Sequence, residues 1–315
     1  MVLTGRGVVS PLGVGIEAHW EALCAGRSAV GRRDRLAALG LSTVRGAEIA
    51  PETVEPHLAR LPRKQQKLWN RATLLAIAND AQGFCRALTE GHVGGARAVG
   101  DAARLITAGD LDVALCGGAD DQLDELFVAT YWGAGVIAGD DGRPGLVPGE
   151  GAGVLVLEEA EHAIARGARV HGELVGFASA AGDGNLVGAG DPPRLADRLT
   201  RVIDEALEEA KTAPDLVSLH GDGIPAHDRA EAKALARTLG VVAPSAPRLR
   251  LKAAHADLGA AAGPVELLAC SSALRHATLP PAAADHAPSR TPVFRSVLLL
   301  TLGLFGECSA LMMRT

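Results

Sequence analysis

The sequence predicts a layered α/β fold built from two related halves, and three observations support this prediction. Helical stretches with apolar residues at positions i, i+3 and i+4 alternate with short apolar runs bounded by Gly, Asp or Pro. That alternation is typical of a sheet covered by helices on both faces. Each half also ends in a glycine-flanked apolar strand, PGEGAGVLVLEE or LGLFGECSALMMRT, which indicates an internal repeat. With 315 residues, the chain is long enough for both halves to share a large core.

The apolar patterns place the elements along the chain. Helices are predicted over residues 16–25, 67–88, 97–108, 194–211, 227–239 and 263–275, and strands over 2–9, 112–117, 153–158, 173–179, 216–220, 248–252, 297–304 and 309–313. A segment rich in Gly, Asp and Pro, residues 180–193, is the predicted connection between the halves. We therefore divide the chain into an N-terminal half, 1–176, and a C-terminal half, 177–315.

Composition disfavours several classes of protein. The formal net charge is −6 and aromatic residues make up only 3% of the chain, which argues against a nucleic-acid surface. The longest apolar run, residues 296–306, has about half the length needed to cross a bilayer. The five cysteines lie far apart without a CxxC pair, and the first residues lack the pattern of a signal peptide. The sequence predicts a cytoplasmic protein with no membrane segment, no metal and no cofactor.

The segment HGDGIPAHDRAE, residues 220–231, carries the most specific chemical signal. Gly221 and Gly223 allow a tight turn after a strand, which would leave the His220 imidazole facing a cleft. Asp228 and Glu231 would then begin a helix, because acidic side chains suit the positive end of the helix dipole. A single histidine is more often structural than catalytic, so both roles of His220 stay open on this segment alone.

This segment resembles the HGTGT-P-x-N-D-x-x-E motif of the β-ketoacyl synthases, which are condensing enzymes of the thiolase fold. The motif spacing is intact, although Asp222 and Ile224 replace its two threonines and His227 replaces its asparagine. Other segments that resemble the family are residues 3–13, 102–120, 148–177 and 258–269. The resemblance implies an α-β-α-β-α sandwich of two halves that dimerises.

The N-terminal half is predicted to be shortened. Several dozen residues that the family has before the position of residue 92 are missing from this chain. Loss of a buried strand would expose a sheet edge, and a partner or rearranged helices would have to cover it.

The resemblance also implies a catalytic cysteine at the N-terminus of a buried helix, where the helix dipole and backbone N–H groups activate the thiol. Counting back without gaps from residues 102–106 places that position at His92. An imidazole can accept an acyl group, but the resulting acyl-imidazole hydrolyses readily. His92 is therefore either an altered nucleophile or a residue that fills the pocket or supports the structure.

The cysteines of the chain lie elsewhere. Four of them fall in predicted helices or strands and are expected to be core residues: Cys24, Cys85, Cys116 and Cys270. The fifth, Cys308, is expected to face the cleft beside a remnant of the family's glycine-rich loop. The predicted pocket residues are Gly303, Phe305, Gly306 and Cys308.

The second histidine of the family follows a lysine by five positions in a K-S-x-x-G-H stretch, where this chain reads LKAAHADLGAAAG. Lys252 and His255 are the candidates, but they are only three positions apart. In the family the two histidines bind the malonyl thioester carbonyl, which requires both Nε2 donors at one oxygen. His255 is therefore either the second site histidine or a surface helix cap.

These departures predict a ketosynthase-like subunit of fatty-acid or polyketide biosynthesis that resembles a chain-length factor and has no condensing activity of its own. Its expected partners are an active β-ketoacyl synthase in a heterodimer, or a second copy of itself, and an acyl carrier protein. One alternative is a malonyl- or acyl-carrier-protein decarboxylase, or an acyltransferase, that uses His220 and His255. Another is a structural or regulatory protein without an acyl ligand.

Overall fold

The computed structural model describes residues 1–33, 40, 44–50, 52, 86–186, 192–240, 243, 245–281, 283 and 294–315. Most of the helix predicted over 67–88, together with Cys85, lies outside the described residues.

The described elements follow one another as alternating strands and helices. The strands are β1 (Val2–Ser10), β2 (Gly13–Val14), β3 (Gly31–Arg32), β4 (Arg45–Gly46), β5 (Val113–Asp121), β6 (Glu150–Glu158), β7 (Gly172–Ala180), β8 (Leu216–Ser218), β9 (Arg248–Leu249), β10 (Ser296–Leu302) and β11 (Cys308–Arg314). The helices are α1 (Ile16–Cys24), α2 (Gly94–Thr107), α3 (Glu125–Gly133), α4 (Ala160–Ala165), α5 (Pro192–Ala210), α6 (Pro225–Thr238), α7 (Lys252–His255) and α8 (Ala262–His276). Short 3₁₀ turns, Gly91–Val93 and Gly259–Ala261, precede α2 and α8.

Most sequence predictions of these elements are confirmed. The short helix α4 and the two-residue strands β2, β3 and β4 were not predicted, and two larger differences concern α7 and α3. The strand predicted over 248–252 ends at Leu249, and Lys252 instead begins α7. Helix α3 was not predicted, because its sequence ELFVATYWG is apolar on nearly every side and therefore lacks a helical period. Its Asp124 cap, which accepts hydrogen bonds from the N–H groups of Leu126 and Phe127, is the local feature that starts it.

One mixed sheet runs through both halves in the strand order β5-β6-β1-β7-β11-β10-β8-β9, with β2 beside β1. In the N-terminal half, β6 lies antiparallel between β1 and β5. In the C-terminal half, β11 lies antiparallel between β7 and β10. The two sets repeat one arrangement and meet where Val2 and Leu3 pair with Glu173 and Gly172. The predicted division after residue 176 falls within β7 and stays a prediction.

In the part of the chain that the structure describes, the sheet extends further in the C-terminal half than in the N-terminal half. On its outer side β10 pairs with β8, which pairs with β9, and both pairings are parallel. At the equivalent place in the N-terminal half, β5 is the last strand of the sheet among the described residues. Val113 and Leu115 of β5 are 44% and 36% exposed. Within the described part of the chain, the outer edge of β5 is therefore unpaired and carries exposed apolar side chains, which is a surface that favours pairing with another chain.

Helices cover both faces of the C-terminal half. Alternate residues of β10 point to opposite faces: Val297 and Leu299 join the core around α8, whereas Leu298 and Leu300 join the core around α5. Helix α8 contacts α2, β6 and β10, so it touches both halves, and its residues from Ala262 to Leu274 are all buried. Among the described residues, no helix is both long and apolar enough to span a membrane.

The start of α2 lies in close contact with the turn before α8. A Cβ built on Gly95 would overlap the carbonyl oxygen of Ala260 and lie 2.8 Å from the ring of Pro264. A Cβ on Gly118 of β5 would overlap the same carbonyl oxygen. The backbones of α2, β5 and the Gly259–Ala261 turn therefore meet with no side chain between them, and this fixes where α2 begins.

The substitution Gly95→Ala tests this contact. We expect it to lower the free energy of unfolding by about 1 to 3 kcal/mol, because the added methyl group forces the two backbones apart. Denaturant unfolding measures the change. Gly133→Ala, at a position with open space around it, is the matched control and should change stability by no more than about 0.5 kcal/mol. Equal stability of the two variants would contradict the close contact.

Candidate functional site

The N-terminus of α2 places His92 in the interior. His92 lies in the 3₁₀ turn that leads into α2 and is 7% exposed. One orientation of the Gln122 side-chain amide gives both its oxygen and its nitrogen hydrogen-bond partners. In that orientation the oxygen accepts from Nε2 of His92 (2.7 Å) and from the N–H of Gly259 (3.2 Å), and the nitrogen donates to the backbone carbonyl of Asp257 (3.1 Å). Nε2 of His92 is then an N–H donor, so it has no lone pair with which to attack an acyl group.

The carboxylate of Asp257 lies close to His92. Its Oδ1 lies 3.7 Å from Nε2 of His92 and accepts a hydrogen bond from the N–H of Gly259 (2.7 Å), and the residue is 1% exposed. Asp257 follows Lys252 by five positions, which is the spacing that the family resemblance gives to the second histidine. This carboxylate was not predicted from the sequence, although its five-residue spacing from Lys252 is the spacing expected for a site residue.

Lys252 forms a buried ion pair with Glu266. The distance from Nζ of Lys252 to Oε1 of Glu266 is 2.7 Å, and the two side chains are 4% and 0% exposed. Burial alone would lower the pKa of Lys252, but the carboxylates of Glu266 and Asp257 raise it above its ordinary value. The ammonium group is therefore charged and faces two carboxylates, which joins α7 to α8.

His255 lies in a different set of contacts from His220. It is fully buried, its Nδ1 donates to the carbonyl of Ala256 (2.7 Å), and its ring centroid lies 5.6 Å from that of His19. Burial holds the pKa of His255 well below its ordinary range, so the ring is neutral. The expectation that His255 caps a surface helix is wrong, because the hydrophobic core encloses it.

His220 lies two residues after the end of β8, and both of its ring nitrogens form hydrogen bonds. Nδ1 accepts a hydrogen bond from the N–H of Leu302 (3.2 Å), and Nε2 donates to Oδ2 of Asp222 (3.1 Å). Burial is the main cause that lowers the pKa of His220, to about 4. The ring is 2% exposed, so it faces the interior, whereas the sequence predicted an open cleft.

Asp222 and His227, the two polar residues that depart from the family motif, lie beside His220. Asp222 contacts His220 directly, and His227 contacts Asp222. Oδ2 of Asp222 also accepts from Nδ1 of His227 (2.6 Å), while its Oδ1 accepts from the N–H of Ile224 (2.9 Å). The carboxylate of Glu231 accepts from the N–H groups of His220 (2.6 Å) and Gly221 (3.4 Å). Glu231 thus holds the backbone of the motif, instead of serving only the dipole of α6. His220, Asp222 and His227 are also the described residues whose types and distances suit a metal ion.

The described thiols are not activated. Cys116, Cys270 and Cys308 are buried, and burial raises the pKa of each to about 12. The expectation that Cys308 faces a cleft is therefore wrong, because the first residue of β11 points into the core around α5. Cys24 in α1 is partly buried, and its pKa is also raised by burial.

The turn between β10 and β11 carries the other predicted pocket residues. The N–H of Gly306 donates to the carbonyl of Gly303 (3.0 Å), and Gly306 has a φ of 81°, which favours glycine. Arg198 donates to the carbonyl of Gly306 (2.6 Å) and fixes the turn against α5. Phe305 at the tip is 42% exposed. A pocket role for Gly303, Phe305 and Gly306 stays a prediction.

Two family models match most of the chain. The model described as "Beta-ketoacyl synthase, N-terminal domain" matches residues 72–163, and "Beta-ketoacyl synthase, C-terminal domain" matches residues 171–284. A protein named polyketide beta-ketoacyl synthase 1 from Streptomyces cyaneus is 31% identical over 300 residues, which cover 89% of this chain and 69% of that protein. The chain belongs to the beta-ketoacyl synthase family.

Further relatives and solved structures agree with this membership. The protein of the same name from Streptomyces halstedii is 34% identical over 286 residues, covering 82% of this chain and 66% of that protein. The chain thus spans about two thirds of the length of these two relatives. Two solved structures share the fold: a type II polyketide ketosynthase in complex with its acyl-carrier protein (TM-score 0.84, 23% identity) and the ishigamide ketosynthase/chain length factor (TM-score 0.78, 24% identity). Each match covers 100% of this chain and 98% of the other.

Titration of Glu231 tests its burial in the motif. Burial raises the pKa of Glu231 from an ordinary 4.5 to about 7. The folded protein therefore keeps a proton that the unfolded chain has released, so the stability from this group is present below pH 4.5 and is lost as the pH rises through about 7. We expect the stability difference between the wild type and Glu231→Gln to fall by about 2 to 3 kcal/mol between about pH 4.5 and about pH 7.5.

Denaturant unfolding at a series of pH values measures this difference. Glu205→Gln, at an exposed position of α5, is the control and should show no such trend. A flat difference for Glu231→Gln would mean that the carboxyl group has its ordinary acidity in the folded chain.

Proposed function

We propose that this chain is a non-condensing ketosynthase-like subunit of polyketide or fatty-acid biosynthesis, similar in role to a chain-length factor. The observation that carries the proposal is the residue at the N-terminus of α2. Where the family resemblance implies an acylated cysteine, this helix begins after His92, whose Nε2 donates to Gln122 beside Asp257. A ring held in this way supports the loop between α2 and α8 better than it supports acyl transfer.

The surroundings of the helix support the same proposal. A carboxylate at Asp257 takes the place that the family spacing gives to a hydrogen-bond donor, and a carboxylate repels the developing negative charge on a thioester oxygen. The Nε2–H of His220 is already donated to Asp222. Neither group is then available to polarise a substrate carbonyl.

The decarboxylase alternative has less support. It requires the Nε2 donors of His220 and His255 at one oxygen, yet His220 is engaged by Asp222 and the ring of His255 packs against that of His19. Those contacts place the two imidazoles in separate groups of side chains. An acyltransferase that uses the same two histidines meets the same objection.

A partner subunit is the second part of the proposal. Among the residues that the structure describes, β5 is the outermost strand of the N-terminal half and exposes Val113 and Leu115, and such an edge favours pairing with a partner. Among the structural neighbours, one is described as a ketosynthase/chain length factor and another as a ketosynthase in complex with an acyl-carrier protein. We infer that the partner is an active β-ketoacyl synthase and that the assembly receives an acyl carrier protein.

Acylation is the direct test of the non-condensing role. The wild-type protein mixed with acyl thioesters of a carrier protein is expected to form no covalent acyl adduct by intact-mass measurement. The pKa of each described thiol is raised by burial, and Nε2 of His92 is occupied. The double variant His92→Cys/Asp257→His is the positive control: a thiol at the helix N-terminus beside an imidazole is activated and should be acylated. A wild-type adduct that disappears in His92→Ala or in Cys308→Ala would overturn the proposal.

Co-expression tests the partner. We expect the chain to co-purify as a stable heterodimer with a complete β-ketoacyl synthase encoded beside it. Leu115→Lys on β5 should weaken this heterodimer at least about tenfold, because it places an unpaired charge in the interface. Leu126→Lys, at a residue of α3 that is 76% exposed, is the control and should leave the heterodimer unchanged. Sedimentation or size-exclusion chromatography with light scattering reports the outcome, and a well-behaved monomer under all conditions would contradict the subunit role.

A further inference from the structure

Three buried side chains converge on one point in the HGDGIPAHDRAE segment. Nε2 of His220, Oδ2 of Asp222 and Nδ1 of His227 all lie within 4.8 Å of one another. The two imidazole nitrogens lie 3.1 and 2.6 Å from the carboxylate oxygen. Imidazole nitrogen and carboxylate oxygen are ligands that zinc takes in proteins, with bonds of about 2.0 to 2.2 Å. An ion among the three atoms would need only a small separation of the side chains.

We propose that His220, Asp222 and His227 bind a divalent transition-metal ion, and that zinc fits this ligand set best. Three protein ligands leave the fourth tetrahedral position for a water molecule. Because the three side chains are at most 2% exposed, the ion would support the fold of the motif and would not act on a substrate. The proposal departs from the absence of a metal that the sequence predicted, and it does not rest on the proposed function.

The identities of the residues are the first argument. In the motif that the chain resembles, position 222 is a threonine and position 227 an asparagine. This chain has changed both, and each change introduces a side chain that binds metals well. The carboxylate of Asp222 contacts Nε2 of His220, and the imidazole of His227 contacts the same carboxylate oxygen. The threonine and asparagine of the motif would supply hydrogen bonds alone. The carboxylate and the imidazole that replace them can also bind a metal ion.

The second argument is that the ligands are already held in place. The N–H of Ile224 binds Oδ1 of Asp222 and turns Oδ2 toward the two imidazoles. Glu231 fixes the backbone at His220, and His227 lies in the first turn of α6, two residues after Pro225. Metal sites bind tightly when their ligands sit on rigid elements of this kind.

Charge balance is the third argument. Four acidic side chains are buried around the motif and the adjoining turn, and they belong to Asp222, Glu231, Asp257 and Glu266. Burial raises the pKa of Glu231 and Glu266 to about 7, so above that pH the four groups carry more negative charge than the ammonium group of Lys252, buried beside them, offsets. Buried charge without compensation is costly, and a divalent cation next to Asp222 would offset part of this excess. One oxygen each of Asp257 and Glu266 also lacks a hydrogen-bond donor, which agrees with an excess of acceptors.

One contact opposes metal binding and is too weak to prevent it. The N–H of Leu302 donates to Nδ1 of His220 at 3.2 Å, so the ring proton now lies on Nε2. Binding a metal through Nε2 would move that proton to Nδ1 and break the contact with Leu302. A single hydrogen bond of this kind contributes far less to stability than a structural zinc site does.

Zinc stoichiometry and thermal unfolding test the proposal. The full chain is stripped with a chelator, mixed with zinc chloride and desalted, and its zinc is measured by elemental mass spectrometry. We expect about one zinc ion per chain and a higher Tm than the stripped protein, because an ion that binds only the folded state stabilises it. In Asp222→Thr and His227→Asn, which restore the motif residues, affinity should fall by more than the roughly 10- to 100-fold typical of changes outside the ligand set.

His276→Asn is the matched control, since this histidine is exposed on the last turn of α8 and should leave zinc binding unchanged. Cobalt substitution of the wild type keeps the test valid if a variant fails to fold: a visible absorption band of tetrahedral nitrogen and oxygen ligation supports the site. Wild-type protein that retains less than about one tenth of an ion per chain, or that binds zinc equally well after both substitutions, would overturn the proposal.

Discussion

The backbone contact between the first turn of α2 and the carbonyl of Ala260 sets the distances on which the site depends. Because Gly95 and Gly118 have no side chains, α2, β5 and the turn before α8 approach as bare backbone. This contact brings His92 from the N-terminal half beside Asp257 from the C-terminal half. A single methyl group in this contact would therefore move both residues apart, although neither of them would be changed.

A second constraint is the number of charged groups in the interior. Residues 220–231 and 252–266 bring carboxylates, imidazoles and one ammonium group into a volume from which water is largely excluded. In such surroundings each group is fixed by its neighbours, so the rings of His220 and His92 have their hydrogen bonds assigned before any ligand arrives. The Nε2–H groups of His220 and His92 are therefore already donated to side chains of the protein. In a site that stabilises an oxyanion, such donors are free to contact the substrate oxygen.

The fold could be predicted well from the sequence, because apolar periodicity and glycine spacing are both local features of the chain. Apolar periods gave the positions of β1, β5, β6 and α5, and glycine spacing gave the turn after β8. Helix α3 escaped prediction because its apolar residues surround the whole helix. The site was predicted only in part. The positions of His92 and His220 follow from motif spacing, and the five-residue spacing from Lys252 also indicates Asp257. Gln122 carried no signal, since its contact with His92 depends on packing between β5 and α2.

The ion pair between Lys252 and Glu266 has a consequence for how this chain can change over time. Removing either partner alone would leave a lone charge in the core, which typically costs about 3 to 5 kcal/mol, while replacing both at once can be nearly neutral. The two side chains can therefore be exchanged at low cost only together.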